Sequence, residues 1–84
     1  MCLHDYISYD IFVVLIINCK EVYWELFSSR STIKDILRRL YRHYHVYPDC
    51  RLVTRDNITL INLNDKIKKY IDNDLNAIDI KVYT

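Results

Sequence analysis

No glycine occurs anywhere in the 84 residues of this chain. Each reversal of direction must therefore be made by residues that carry a Cβ, and of these Asn tolerates the left-handed backbone best. Asn18, Asn57 and Asn73 are the expected turn residues. The same absence excludes a phosphate loop, a dinucleotide fingerprint and a nucleophile elbow, all of which need Gly where the backbone bends sharply or approaches a ligand. A single domain spanning 1–84, with its core over about 11–83, is expected from the length. A chain this short has little room for a buried catalytic cleft, so a non-enzymatic role follows as the expectation.

Cys2, Cys19 and Cys50 are odd in number and widely spaced, which fits free thiols in a reducing, cytoplasmic or otherwise intracellular setting. Twelve Ile, eight Tyr and six Asn against one Ala match the bias of an AT-rich genome. The apolar run from Ile11 to Ile17 lacks the basic flank and small-residue site of a signal peptide. It also falls far short of the ~20 residues that cross a bilayer, so no membrane insertion is expected.

That run is β-branched and reads as a strand. Asn18-Cys19 is the expected two-residue turn, and Lys20 to Phe27 alternates as the returning strand. Such a turn pairs Leu15 with Val22, Val13 with Trp24 and Ile11 with Leu26, making one apolar inner face with Trp24 in the core. Thr32 and Asp35 have capping-box spacing, and Ile33, Ile36, Leu37, Leu40, Tyr41 and Tyr44 follow at helical intervals, so a helix starts at Thr32 and ends before Pro48. Arg51 to Arg55 reads as a third strand, Asp56-Asn57 as a turn, and Ile58 to Ile61 as a short fourth strand. Ile67, Tyr70 and Ile71 fit one helical turn. Asp72-Asn73-Asp74 then turns the chain into a last strand over Ala77 to Tyr83.

This order, ββαββ(turn)β, is that of an α+β fold and resembles the ubiquitin-like β-grasp, in which a mixed sheet wraps one helix. The resemblance runs from Ile11 to Val82 and rests on Ile11-Phe12-Val13, Ser31-Thr32-Ile33, Pro48-Asp49 before Arg51-Leu52-Val53, and Leu63-Asn64-Asp65. Conjugated members of that family work through a terminal Gly-Gly, whereas this sequence ends Tyr83-Thr84, which implies a non-conjugated member. The positions matching ubiquitin's main recognition surface are Val53, Asp79 and Lys81, and only Val53 is apolar, so partners that read ubiquitin should bind poorly. A more local similarity, through Asn64-Asp65-Lys66-Ile67, Tyr70-Ile71, Asp72-Asn73-Asp74 and Ile78-Asp79-Ile80, is to the small ubiquitin-like accessory proteins of bacterial type VII secretion systems. It departs where they usually carry Gly in the acidic turn and this chain has Asn73 or Asn76. What these resemblances imply is a non-covalent adaptor or regulatory subunit with a protein partner.

Two surfaces are candidates for that partner. With Ile11, Val13 and Leu15 inward, Phe12, Val14, Ile16 and Tyr23 face outward as an apolar contact site, available to a different subunit or to a second copy through the first hairpin, unless Leu3 to Tyr9 cover it. Lys34, Arg38 and Arg42 line up at i, i+4, i+8 on the helix, within a segment from Arg30 to Tyr47 that holds five basic residues and one acid. Interleaved with Tyr41, Tyr44 and Tyr47, this stripe fits an acidic protein surface such as a small GTPase, or a phosphate backbone. The near-neutral total of +1 argues against nucleic acid. Asp35 is expected to offset Arg39 at i+4. The cysteines with His4, His43 and His45 lack metal-ligand spacing, and no cofactor or metal is expected.

Overall fold

The computed structural model describes residues 8–71 and 75–84; the Asp72-Asn73-Asp74 turn and a cover formed by Leu3 to Ile7 lie outside them. Strand β1 (Asp10–Ile17) and β2 (Glu21–Ser28) form the hairpin, helix α1 (Ile33–Tyr44) follows, then β3 (Arg51–Thr54), a 3-10 turn over Ile67–Tyr70, and β4 (Ala77–Tyr83). The sheet order is β2-β1-β4-β3, with β1 parallel to β4 and the other neighbours antiparallel. This is the mixed sheet of the ubiquitin-like β-grasp, with one helix across its inner face. Ile58 to Ile61 does not form a strand, and Thr59 makes only an isolated bridge to Val53.

The core explains why the helix must dock. Ile11, Val13 and Leu15 from β1, Ile80 and Val82 from β4, and Ile33, Ile36 and Leu40 from α1 are wholly inaccessible to water. Each such side chain contributes on the order of 1.5–3 kcal/mol by leaving solvent.

The ends of α1 are closed locally. Thr32 and Asp35 make the capping box, the Thr32 N–H donating to the Asp35 carboxylate at 2.9 Å. The irregular segment before β4 supplies further partners: Asp65 and Leu63 carbonyls accept from the Ile33 and Lys34 N–H groups, at 2.9 and 3.1 Å. At the other end His45 is left-handed (φ 56°), and the Val46 N–H reaches back to the Leu40 carbonyl at 3.1 Å, stopping the helix three residues before Pro48.

Left-handed backbone occurs at Asn18, Cys19, His45, Asn57 and Asn76. Asn18 and Asn57 are where the missing glycines predict them, and Asn76 makes the turn into β4. Asn18 does more than bend the chain: its side chain donates to the Thr84 hydroxyl at 2.8 Å and accepts from the Thr84 N–H at 3.0 Å.

The hairpin turn departs from expectation by one residue. Asn18 and Cys19 both have positive φ, and the Lys20 N–H donates to the Ile17 carbonyl at 3.0 Å, but Lys20 stays outside the ladder and Ile17 pairs with Glu21. Leu15 therefore lies opposite Tyr23, Val13 opposite Glu25 and Ile11 opposite Phe27. Because side chains alternate with period two, the extra residue exchanges the two faces of β2. Tyr23, expected outside, lies on the inner face against the core and stacks on Tyr44 with ring centroids 4.2 Å apart. Trp24, expected in the core, is 72% exposed on the outer face.

Candidate functional site

The displaced register concentrates apolar side chains on the outer face of the hairpin. Phe12 sits beside Leu26, Val14 beside Trp24 and Ile16 beside Val22. Phe12, Val22 and Leu26 are each about half exposed (49%, 55% and 47%), while Val14 and Ile16 are half-buried between their neighbours. Together with Trp24, the exposed members leave on the order of 500 Å² of apolar surface, toward the upper end of what a monomer shows as its largest patch. The parallel neighbour β4 extends these rows with Ala77, Asp79 and Lys81, opposite Phe12, Val14 and Ile16 respectively. Asp79 and Lys81 have no ion-pair partner among the described residues.

The strand carrying Trp24 is also an edge. The Ser29 N–H donates to the Tyr9 carbonyl at 2.7 Å, which sets the phase of the ladder: odd-numbered residues of β2 exchange hydrogen bonds with β1. The N–H and C=O groups of Val22, Trp24 and Leu26 therefore point away from the sheet along its open side. No Pro, bulge or Lys interrupts this eight-residue edge, the usual protections against pairing with another chain.

On the inner side, Glu25 is the anchor between β2 and α1. Its side chain is only 12% exposed and accepts from the Arg39 guanidinium at 2.7 Å and from the Tyr44 hydroxyl, with His43 Nδ1 at 3.7 Å. Burial works to raise the Glu25 carboxyl, but the bonds from Tyr44 and Arg39 and the neighbouring positive charge outweigh it and hold the group below the usual carboxylate range. Burial and the carboxylate push Tyr44 up to about 12, so its hydroxyl remains a donor at neutral pH. Arg39 is thus committed to Glu25 and not, as its spacing predicts, to Asp35. Asp35 serves the helix cap and lies 3.8 Å from Arg38.

Lys34, Arg38 and Arg42 form the expected exposed stripe on α1. Arg38 and Arg42 border a shallow, open depression floored by Phe27, where the Arg39 guanidinium rests 4.7 Å above the ring. Tyr41 and Tyr47 are exposed and tilt against one another at 5.8 Å, so these two tyrosines lie outside the core. The stripe and the apolar outer face lie on opposite sides of the sheet.

The sequence pattern sets Phe12, Val14 and Ile16 on the outer face, where the structure has them, but sets Val22, Trp24 and Leu26 inside, because their own strict alternation carries no sign of which way it faces. The half-buried Cys50 thiol is pushed up by desolvation, away from the thiolate form a nucleophile needs. Among the described residues, no three His, Cys, Asp or Glu side chains converge as metal ligands, and no helix is long and apolar enough to cross a membrane.

No protein-family model and no curated protein matches this sequence. Solved structures do match its fold. A de novo designed protein based on ubiquitin superposes with a TM-score of 0.69 at 11% identity, over 87% of this chain and 85% of the other. A structure described as molecular mimicry of SUMO that promotes DNA repair superposes with a TM-score of 0.67 at 19% identity, over 87% of this chain and 89% of the other. The fold is thereby that of a ubiquitin-like protein.

Proposed function

We propose that this protein is a non-covalent protein-interaction module, an adaptor or regulatory subunit whose principal contact is the outer face of the β1–β2 hairpin. The supporting observation is the continuous outer block in which Phe12, Val22, Trp24 and Leu26 stand exposed around the half-buried Val14 and Ile16, while the buried core lies on the other side of the sheet. The open surfaces of the described residues suit recognition better than catalysis, although fold by itself names no function. Replacing Val14 and Ile16 together by Asp should abolish recovery of a partner from source cells, or lower the oligomeric mass, with circular dichroism unchanged. Undiminished association by that folded variant would sink the reading.

A second contact, for an acidic protein surface, is supported by the exposed stripe of Lys34, Arg38 and Arg42, because Arg39, their neighbour, is already neutralised by Glu25. Charge reversal of Arg38 and Arg42 should weaken association with such a partner several-fold, mainly through the on-rate, with the loss shrinking as salt is raised. Association that ignores both the substitutions and the salt would remove the stripe from the proposal. The likeness of Asn64-Asp65 through Tyr70-Ile71 to type VII secretion accessory proteins makes that machinery one setting for the module, and a small GTPase is another acidic partner of suitable chemistry. Neighbouring genes for a membrane ATPase and small helical secreted proteins would favour the first.

A further inference from the structure

The outer face is not only apolar; its two central rows are complementary to each other. One row reads Trp24, Val14, Asp79 across β2, β1 and β4, and the next reads Val22, Ile16, Lys81. Suppose a two-fold axis lies between two sheets, across their strands, midway between these rows. It then sets Trp24 of one copy on Val22 of the other, Val14 on Ile16, and Asp79 on Lys81. Large meets small on the edge strand and negative meets positive on β4, and each contact occurs twice.

Resting on the reading of this face as a contact surface, we propose that its occupant is a second copy of the same chain, packed face to face into an isologous dimer. Two such patches bury together on the order of 1,000 Å² of apolar side chain, which reaches the size expected of a specific interface. The alternative of a strongly charged partner is poorly served here, since the rows carry one acid and one base, neither engaged within its own chain among the described residues. The helix stripe of Lys34, Arg38 and Arg42 stays outside this contact in both copies.

The test is sedimentation equilibrium of the full chain from low micromolar to near millimolar concentration, read together with the fluorescence of Trp24, the only tryptophan. The expected result is a concentration-dependent rise from 10.2 kDa toward twice that mass, with Trp24 emission shifting to the blue in parallel. Asp79→Lys or Lys81→Asp alone places like charges opposite one another twice and should weaken the dimer about tenfold or more. An equimolar mixture of those two variants should recover it, because each then presents the charges the other lacks. Recovery on mixing is specific to a contact between copies through these rows.

Other outcomes separate the inference from the reading beneath it. A monomer at all concentrations with Trp24 open to quenchers overturns the dimer and leaves the contact-surface reading standing. A monomer with Trp24 shielded at all concentrations overturns both, since the chain then covers its own face. A dimer indifferent to the swaps at Asp79 and Lys81 overturns the face-to-face arrangement, as strands joined edge to edge at β2 would leave β4 two strands away from the contact.

Discussion

Phe27→Ala should remove about 3–5 kcal/mol of stability, a large part of what a domain of this size possesses. The register puts Phe27 inside, where it is 5% exposed and lies under the Arg39 guanidinium, and puts Trp24 outside, where it is 72% exposed. Trp24→Ala is therefore the control, expected to change stability by less than about 0.5 kcal/mol. Urea unfolding followed by circular dichroism measures both losses. Deletion of Lys20 should keep the register, because Ile17 then meets Glu21 across Asn18 and Cys19 alone, both already at the positive φ that a two-residue turn requires. A larger loss at Trp24 than at Phe27 would show that the faces of β2 are the other way round.

The second large effect belongs to Glu25. Its replacement by Ala leaves Arg39 and Tyr44 facing an empty, half-buried position and should cost about 2–3 kcal/mol, less than a fully buried pair because the Arg39 side chain is 32% exposed. Tyr44→Phe should cost about 1 kcal/mol, and the double variant less than the two combined, since both act on one network. The pH dependence has a definite sign. A carboxyl held below its ordinary value of 4.5 in the folded state stabilises fully at pH values above the unfolded one, and that contribution is lost as pH falls through the folded value. Asp65 acts in the same direction, its carboxyl lowered by the Tyr70 hydroxyl against a smaller effect of burial, with Lys69 assisting. Stability should therefore decline on acidification below about pH 4.5, and Glu25→Gln should flatten that decline without removing the part due to Asp65. Equal slopes for the two proteins between neutral pH and the acid limb would count against the assignment.

Much of the fold is legible in the residues because independent local signals agree. Thr32 with Asp35 marks the helix start, Pro48 bounds its end, and the alternation of Ile78, Ile80 and Val82 marks the last strand and its inner face. The segment from Ile58 to Ile61 misleads because four residues with two isoleucines fit a strand as well as an extended loop whose backbone bonds to Leu52 and Thr54 one residue at a time. The hairpin register is illegible for a more basic reason. Both faces of β1 are apolar, and β2 offers Val22, Trp24, Leu26 on one side and Tyr23, Phe27 on the other, so hydrophobicity does not choose between them. The choice falls to polar chemistry that patterning does not see: Glu25 needs Arg39 and Tyr44, which only the inner face provides. The basic stripe, by contrast, follows from helical periodicity alone, once Arg39 is set apart by its partner on β2.

Asn18 gives the missing glycine a second meaning. A glycine at that position would bend the hairpin with less steric cost, but it would leave the unfolded chain more freedom to lose and would have no side chain to offer. The strain of a left-handed Asn, about 1 kcal/mol, is set against a two-pronged clasp on Thr84 that spans 66 positions of sequence. The bend between the first two strands is thereby tied to the far end of the last one. What glycine would make a hinge, this chain makes a fastener, which joins the Asn18 N–H bond to the Val82 carbonyl in holding the parallel pair of β1 and β4 in register at that end.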